Sequence, residues 1–374
     1  MTIVHFLPAA LPVLYPLGGA IQRRVREIAR TQVERGDRVI VYSAEDEHGL
    51  ADYKGVEIRG LKCRLTGYLR TLEYLARASH DVRNVRAEVL HFHSLPEGTL
   101  FTRSVRARKV LSYDNYIFRR GKRTPLFRLY QRALDGFGCL LPVSEYCLRE
   151  SVQYWRCDGV PMRVVHNGVN LEQFRPDPCL GDSMRTSLGI RGGPVILYVG
   201  RVCTQKGSDV LCDAFASVRS KIRSAHLVVA GPAKQFGEER GDELTERIRE
   251  VGGLYLGPVA EEVLCSLYNA CDLFVLPTRE WEMFGMVALE AQACGKPVVA
   301  TLHGGLPEVI GPTSGALVAA GDANALANKI HELLTNADMY LSMVRQSREN
   351  SRRFGWEAIA AELDEVYRTV ARRR

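Results

Sequence analysis

The chain has 374 residues, of which 46% are hydrophobic and 25% are charged, and its formal net charge is +7. This length suits two domains of average size, and the composition is typical of a globular protein rather than a disordered or fibrous one. No apolar run approaches the roughly 20 residues of a membrane-spanning helix. The ten cysteines include no C-x-x-C pair, so the sequence predicts reduced thiols in a cytoplasmic protein and no zinc site.

The chain begins with the apolar run TIVHFL and reaches Gly18 and Gly19 through a proline-rich segment without early Lys or Arg. This pattern predicts a first strand and a loop rather than a signal peptide. Apolar residues at helical spacing then predict a helix that stops near Gly36, with charged residues on its other face. Free amides at the helix start can meet an anion. The turn is not G-x-G-x-x-G, which disfavours a NAD-dependent oxidoreductase.

Short apolar runs alternate with helix-period segments along both halves of the chain. The candidate strands of the first half are TIVHFL, RVIVYSA, AEVLHFH, KVLSYD, CLLPVS and RVVHNG. After a polar stretch at about 172–193, those of the second half are PVILYVG, AHLVVAG, LYLGPV, LFVLPT, PVVAT and GALVA. Uninterrupted Val/Ile/Leu strands separated by helices indicate parallel sheets covered on both faces. The sequence therefore predicts an α/β protein with two Rossmann-like domains, 1–180 and 181–354, and a C-terminal helix, about 355–374, that packs back on the first.

Positive charge is concentrated in the first half, where residues 1–172 hold 27 Lys and Arg against 18 Asp and Glu. Ten of these cations lie within 101–135, beside only two acidic residues. Such a patch either attracts an anionic partner or is a solvated arginine-rich surface, and the sequence leaves both open. Within it, the segment 116–132 mixes aromatic and basic residues. It could lie on an anionic membrane at the inner face of the cell, or bind a soluble anionic partner.

Two cations follow the first strand of the second half. In ILYVGRVCTQKGSDVL, a predicted strand ends at Gly200, and Arg201 and Lys206 come next in the loop. Ligands of open α/β sheets bind outside the carboxyl ends of strands. The two cations suit a diphosphate, because Arg can hold two oxygens at once and Lys acts as a mobile point charge. A surface loop with two solvated cations is the alternative.

Two carboxylates flank the segment WEMFGMVALE at 281–290. Glu282 precedes a predicted helix, and Glu290 is expected about two turns further in. A carboxylate can accept hydrogen bonds from sugar hydroxyls, while the helix-start amides favour a phosphate. Glu282 could instead be an ordinary first-turn helix glutamate, and Glu290 an exposed helix charge. Because the residues around Glu290 are apolar, its carboxylate is expected to need a partner.

The order of these segments resembles the family 4 glycosyltransferases, retaining nucleotide-sugar enzymes of the GT-B fold, over almost the whole chain. The segments that carry the resemblance are PLGG (16–19), VVHNGVNLEQFRP (164–176), YVGRVCTQKG (198–207), EMFGMVALE (282–290) and GGLPEVI (304–310). The resemblance implies two Rossmann-like domains whose parallel sheets face each other across a cleft. It implies transfer of a hexosyl group from a UDP-sugar, or a GDP-sugar, to a hydroxyl of a glycan, lipid-linked or natural-product acceptor. Retention of configuration, no cofactor, no catalytic metal and no nucleic-acid partner are implied as well.

The resemblance also implies roles for individual residues. Arg201 and Lys206 would bind the donor diphosphate and stabilise the leaving nucleotide. Glu282 would hold donor-sugar hydroxyls, and Glu290 would bind the ribose. The other implied donor contacts are Gly18, Gly19, Asn167, Gly200, Val259, Phe284, Gly285 and Met286.

The sequence departs from the family pattern after the strand KVLSYD, where relatives often carry a histidine and this chain has Asp114. Asp114 either accepts a proton in the active site or caps a turn. His91 and His93 alternate on one strand and so share a face. His91 suits the core, whereas His93, nearer the strand end, is the better candidate for acceptor contact. Tyr116 and Arg119 are the other predicted acceptor contacts.

Two other interpretations stay open at this point. One is an epimerase or phosphorylase that handles a sugar on the same fold, although no feature marks a lysine for pyridoxal phosphate. The other is a protein that binds a sugar nucleotide without catalysis. The presence of both glutamates and both cations favours the transferase.

Overall fold

A computed structural model of the chain describes residues 1–14, 19–45, 49–114, 127–155, 159–233 and 240–370. The chain divides into two compact units, Met1–Gly168 with Trp356 onward, and Val169–Gly355. The second unit therefore begins 12 residues before the predicted position. Residues 169–180 pack on the second unit because Val169 N donates to Phe354 O at 2.8 Å and Asp177 N donates to Asn269 Oδ1 at 2.8 Å.

The first unit is built on a seven-stranded sheet. Its elements in chain order are β1 (Thr2–Phe6), α1 (Ala20–Glu34), β2 (Arg38–Glu45), β3 (Gly49–Tyr53), β4 (Val56–Lys62), α2 (Gly67–Val82), β5 (Val89–His93), α3 (Gly98–Phe101), β6 (Arg108–Tyr113), α4 (Phe127–Leu134), β7 (Cys139–Pro142), α5 (Glu145–Val152) and the C-terminal helix, here named α14 (Trp356–Thr369). The strand order is β3-β4-β2-β1-β5-β6-β7. The order reverses between β1 and β5, so the loops that follow these two strands flank a topological switch point.

Two features of this sheet differ from the sequence prediction. The edge hairpin β3–β4 is antiparallel and was not predicted; its two-residue turn holds Lys54 at φ 52° and Gly55 at φ 83°. The run RVVHNG, predicted as a strand, is not one. It runs beside β7, with hydrogen bonds from Arg163 N to Leu140 O and from Val165 N to Pro142 O. Only Met162 forms a bridge there, so the ladder is too short to count as a strand.

The charged face of α1 is more buried than its pattern predicts. Its apolar face is buried as expected, with no exposed surface on Val25, Ile28 and Ala29. Arg24 is also only 1% exposed, and Arg30 is buried beside Glu27, 3.3 Å from its carboxylate. The helix α14 contacts α1 here, because Arg35 donates to Asp364 Oδ2 at 2.8 Å. The C-terminal helix thus covers polar residues of the first unit that the sequence assigned to solvent.

The second unit has a six-stranded, fully parallel sheet. Its elements are α6 (Pro178–Ser187), β8 (Val195–Val199), a 3₁₀ turn (Thr204–Lys206), α7 (Ser208–Lys221), β9 (His226–Ala230), α8 (Gly241–Glu250), β10 (Leu254–Gly257), α9 (Glu261–Ala270), β11 (Leu273–Leu276), α10 (Met286–Ala293), β12 (Val298–Thr301), α11 (Leu306–Ile310), β13 (Gly315–Val318), α12 (Ala323–Thr335) and α13 (Ala337–Arg352). All six runs predicted as strands are strands. The order β10-β9-β8-β11-β12-β13 reverses between β8 and β11, which makes the carboxyl ends of these two strands the expected ligand position.

Among the described residues, no helix is both long and apolar enough to cross a membrane.

Candidate active site

The loops after β8 and β11 are joined by backbone hydrogen bonds at the switch point of the second unit. Arg279 N and Glu280 N both donate to Gln205 O, at 2.9 and 3.1 Å. Gly207 allows this contact, because its φ is 73° and a Cβ there would lie 2.0 Å from Pro277 O. A side chain at 207 would push the two loops apart. The residues carried by the two loops are therefore held at fixed positions relative to each other.

This junction brings Lys206 and Glu282 into direct contact. Lys206 Nζ donates to Glu282 Oε2 at 2.8 Å and reaches Trp281 O at 3.4 Å. The side chains are 14% and 15% exposed, so the pair is largely covered but keeps some accessible surface. The sequence assigned these residues separately to phosphate and to sugar. Because an ammonium has three donors, Lys206 can keep Glu282 in place and still bind a phosphate oxygen.

Glu282 is also fixed through its backbone, by the glycine pair after β12. Gly305 N donates to Glu282 O at 2.9 Å. Gly304 has φ 63°, and a Cβ at this position would lie 1.9 Å from the same oxygen. The sequence contained this segment only as part of the family resemblance and gave it no role. In the structure this segment fixes the backbone of Glu282, because Gly304 and Gly305 pack closely against its carbonyl oxygen.

The helix that follows Glu282 begins with Met286 and is capped by Gly285, whose φ is 100°. Phe284 is buried and packs edge-on against Phe354 at 5.8 Å, so its side chain does not line an open surface. What the segment 284–286 can offer a ligand is the set of amides at the start of α10. Residues 282–285 are not helical, so Glu290 lies about one turn into the helix rather than the two that were predicted.

Glu290 is buried and has a partner that the sequence did not identify. It is 3% exposed, and Tyr268 Oη donates to its Oε2 at 2.8 Å. Tyr268 belongs to α9 and is itself fully buried. A buried carboxylate needs hydrogen-bond donors, which the phenol supplies. No motif links residue 268 to residue 290, so this pair could be found only in the fold.

The other predicted residues of the second unit lie at the same edge of the sheet. Gly200 and Arg201 follow β8 directly, and Tyr198 Oη donates to Arg201 O at 2.6 Å. Val259 follows β10 and is partly exposed. Arg201 is partly exposed. The carboxyl ends of three strands thus contribute all the predicted residues of this unit.

In the first unit, Gly19 precedes the first residue of α1. Within the described part of the chain, no side chain caps this helix, so its first amides have no side-chain acceptor there. Asn167, at the end of the unit, is 2% exposed, and its Oδ1 has no hydrogen-bond partner among the described residues. Gly18, Tyr116 and Arg119 lie outside the described residues.

Asp114 follows β6, where it accepts a hydrogen bond from Ser94 Oγ at 3.0 Å. Burial raises the pKa of Asp114, and the nearby guanidinium of Arg24 lowers it in part. Ser94 itself has φ 51°, an uncommon conformation for a residue other than glycine. Asp114 is therefore partly buried beside Ser94, a residue with a strained backbone, at the carboxyl ends of the strands of the first sheet.

His93 lies in a buried cluster instead of at an open surface. It is 1% exposed, and its Nε2 lies 3.0 Å from His5 Nδ1. The rings of His91 and His93 stack at 4.1 Å, which confirms that they share a face. His91 contacts Tyr367 Oη and Ser112 Oγ at 2.6 and 2.7 Å. In this arrangement His93 has no surface with which to touch an acceptor, because its neighbours on β1 and β5 enclose it.

The three imidazoles of His5, His91 and His93 are close enough to share a metal ion, with candidate ligand atoms within 4.8 Å of one another. Five of their six nitrogens, however, already bond to one another or to Gln32, Tyr367 and Ser112. Of the six, only Nδ1 of His93 has no hydrogen-bond partner among the described residues. Arg24, which is buried beside them, donates to Ser112 Oγ at 3.3 Å. A cation would have to displace these bonds next to a guanidinium, so the geometry fits a neutral hydrogen-bond network.

Two sequence-family models match the chain. The model described as Glycosyltransferase Family 4 matches residues 18–173, and the model described as Glycosyl transferases group 1 matches residues 193–336. The chain is also similar to D-inositol 3-phosphate glycosyltransferase of Corynebacterium urealyticum, with 32% identity over 268 residues. That match covers 69% of this chain and 63% of the relative, so it spans less than two thirds of the relative's length.

Solved structures resemble the chain over nearly its whole length. Sucrose-phosphate synthase from Thermosynechococcus elongatus has a TM-score of 0.83 at 20% identity and covers 98% of both chains. The Anabaena protein HepE in complex with UDP-glucose has a TM-score of 0.81 at 21% identity, covering 99% of this chain and 100% of HepE. At such low identities the likeness concerns the fold alone.

Proposed function

Because the chain belongs to the family 4 (group 1) glycosyltransferases and has their GT-B fold, we propose that it is a hexosyltransferase. Its donor is a nucleotide diphosphate sugar, with a UDP-sugar favoured over a GDP-sugar. Its acceptor is a hydroxyl group, and the configuration at the anomeric carbon is retained. The structure of HepE with UDP-glucose supports the choice of UDP.

The observation that carries this proposal is the contact between Lys206 and Glu282 at 2.8 Å. A cation and a carboxylate placed side by side suit a ligand that has phosphate oxygens next to sugar hydroxyls. Arg201 follows the same strand as Lys206 and supplies a second cation. Glu290, which is buried and held by Tyr268 about one helical turn past Met286, is the residue that we propose for the ribose, on the basis of the family resemblance.

In the proposed reaction the bond between the anomeric carbon and the diphosphate oxygen breaks, and the acceptor oxygen bonds to the same carbon. Negative charge collects on the leaving diphosphate, where Arg201 and Lys206 stabilise it more in the transition state than in the ground state. The acceptor proton passes to the leaving phosphate oxygen, which requires no enzyme nucleophile. Two fixed cations perform the charge neutralisation that a metal ion performs elsewhere, so we propose a metal-independent reaction.

For the acceptor we propose an anionic molecule bound by the basic first unit. The similar protein of Corynebacterium urealyticum is named for a phosphorylated cyclitol, which supports a phosphate-bearing acceptor. Asp114, with its raised pKa, would accept a hydrogen bond from the acceptor or the transferred sugar. The residues 115–126 lie outside the described chain, so peripheral membrane association and a lipid-linked acceptor remain predictions from the sequence.

The test is incubation of the full chain with UDP-hexoses, with and without a panel of phosphorylated and lipid-linked acceptors. Each reaction is run both with and without EDTA. The expected result is acceptor-dependent release of UDP and a product whose anomeric configuration matches the donor by NMR. Conversion of the UDP-hexose into an epimeric UDP-hexose in the absence of an acceptor would indicate an epimerase. Donor binding without turnover on any acceptor would indicate a binding protein. Loss of activity with EDTA would contradict the metal-independent reaction.

A further inference from the structure

A cavity of about 330 Å³ opens in the first unit, at the end of the sheet opposite to Asp114. It lies where β6 and β7 begin. It is lined by Thr99, Arg103, Lys109, Arg132, Asp135 and Gly136. Lys109 is the second residue of β6, whereas Asp114 follows the last residue of that strand. At about 3.3 Å per residue, the two are separated by about 16 Å along the strand, so the cavity is separate from the site around Asp114.

The cavity is unusual in its charge. Arg103, Lys109 and Arg132 supply three cations, and Asp135 is its single acidic residue. Within the described part of the chain, none of the three cations forms an ion pair with a carboxylate. The net positive charge of the residues that line the cavity is therefore not neutralised within the described part of the chain. It is equal and opposite to the charge of a phosphate dianion.

Lys109 is the residue that distinguishes this cavity from a solvated surface. It is only 3% exposed, and its Nζ donates to Val105 O at 3.2 Å. This one bond uses one of the three hydrogens of the ammonium. Burial lowers the pKa of Lys109, and among the described residues its ammonium forms no ion pair, not even with Asp135 of the same cavity. A buried ammonium without an acidic partner is costly unless a ligand supplies the missing charge.

We propose that this cavity binds the phosphate group of a phosphomonoester, either a soluble one or a lipid headgroup. Arg103 and Arg132 on the rim hold phosphate oxygens, and Lys109 at the base supplies the third cation. The volume exceeds that needed for phosphate alone and falls within the range of small-molecule sites. Asp135 accepts a hydroxyl hydrogen from the rest of the molecule. The proposal rests on this cavity alone and does not require the proposed donor site.

The experiment is equilibrium dialysis of the full chain against labelled inorganic phosphate at fixed ionic strength. The Arg201→Ala, Lys206→Ala double variant serves as background, so that phosphate bound by the candidate active site is not counted. One equivalent of phosphate is expected to bind. Arg132→Gln, at an exposed position, and Lys109→Met, which keeps the aliphatic stem, should each weaken binding about ten-fold or more. Arg106→Gln is the matched control, because Arg106 is exposed on the same segment but does not line the cavity.

Displacement of the labelled phosphate then identifies the source of the ligand. Displacement by glycerol phosphate but not by phosphatidic acid vesicles assigns a soluble phosphomonoester. Displacement by phosphatidic acid vesicles, and not by phosphatidylcholine vesicles, assigns a lipid headgroup. The proposal is overturned if no phosphate binds, if neither competitor displaces it, or if Arg132→Gln and Lys109→Met bind as tightly as Arg106→Gln.

Discussion

Lys206 Nζ lies 2.8 Å from Glu282 Oε2, although 76 positions separate the two residues in the chain. The contact exists because the loops after β8 and β11 share the carbonyl of Gln205 as a hydrogen-bond acceptor. Both side chains are largely covered, and the cost of removing two charges from water offsets much of their mutual attraction, so the pair itself adds little to folding. The closely fitted loops around this pair are therefore better explained by what the pair binds than by what it adds to stability.

Replacement of Lys206 by Met should abolish most turnover while the protein stays folded. The variant loses the cation that stabilises the leaving diphosphate, for which a loss of about 10²–10³ in kcat is expected. Because the Lys206–Glu282 pair is largely covered, Glu282 loses its cation in a mostly desolvated position, and the free energy of unfolding should fall by about 1–3 kcal/mol. Steady-state kinetics with a UDP-hexose and urea unfolding measure the two effects separately.

The matched control is Lys329→Met. Lys329 pairs with Glu332 at 2.6 Å on α12 of the same unit, far along the chain from the candidate site. Its loss should leave turnover at the wild-type level. Retained turnover in Lys206→Met, or an equal loss in both variants, would contradict the assignment.

Replacement of Tyr268 by Phe should affect both stability and donor binding. It removes the phenol that donates to Glu290 Oε2 at 2.8 Å and leaves a buried carboxylate with one donor fewer. A cost of about 1–3 kcal/mol in the free energy of unfolding is expected. Since Glu290 also loses its orientation, the KM for the donor should rise. Denaturant unfolding and donor titration measure the two effects.

Tyr340→Phe is the control for this prediction. Tyr340 is a phenol of the same unit that donates to a backbone carbonyl, Asp272 O, at 3.1 Å. Its replacement should change the free energy of unfolding without a change in the donor KM. If Tyr268→Phe behaves in the same way as Tyr340→Phe, Glu290 does not bind the donor.

The second unit could be predicted well from the sequence because its strands are buried on both faces. Each strand is an uninterrupted apolar run. Arg201, Lys206 and Glu282 come after such runs in the sequence, so the sequence pattern predicted that they lie in loops at the carboxyl ends of the strands. The hairpin β3–β4 was missed because its strands alternate polar and apolar residues around Lys54, an unusual residue at positive φ.

Side-chain partners across elements could not be predicted in the same way. Tyr268 meets Glu290, and Arg24 is buried beside histidines, only because separate helices and strands pack together. The charge pattern of α1 indicated a solvated face. A helix from the far end of the chain covers part of it, and helical periodicity carries no information about such a distant partner.

Trp281 should report donor binding by its fluorescence. It is 50% exposed beside Glu282, whereas Trp155 and Trp356 are 4% and 2% exposed. A ligand at Glu282 changes the surroundings of Trp281 but not those of the two buried tryptophans. Titration with a UDP-sugar should therefore shift or quench the emission of the wild-type chain. Trp281→Phe should lose this change while calorimetry still detects binding. A change of equal size in Trp281→Phe would place the ligand elsewhere.

The first unit should lose stability as the pH falls from about 6.5 towards 4. Burial lowers the pKa of His5 to about 4, and it lowers the pKa of His91 and His93 well below their usual value. The unfolded chain therefore binds more protons than the folded one in this range, so stability is complete above about pH 6.5 and is lost on acidification. The groups that face the cluster are Arg24, whose charge strengthens the effect, and the neutral Gln32, Ser112 and Tyr367.

The size of the effect follows from His5 alone, for which a shift from 6.5 to about 4 corresponds to roughly 3 kcal/mol. Trp155 and Trp356 both belong to the first unit, so their emission in the Trp281→Phe background reports its unfolding. Urea unfolding at pH 7.5, 5.5 and 4.5 should give a falling midpoint in this background. His5→Gln should flatten the dependence, and His80→Gln, at an exposed position on α2, should leave it unchanged. An identical pH dependence in His5→Gln and His80→Gln would show that the buried imidazoles do not control the acid stability of this unit.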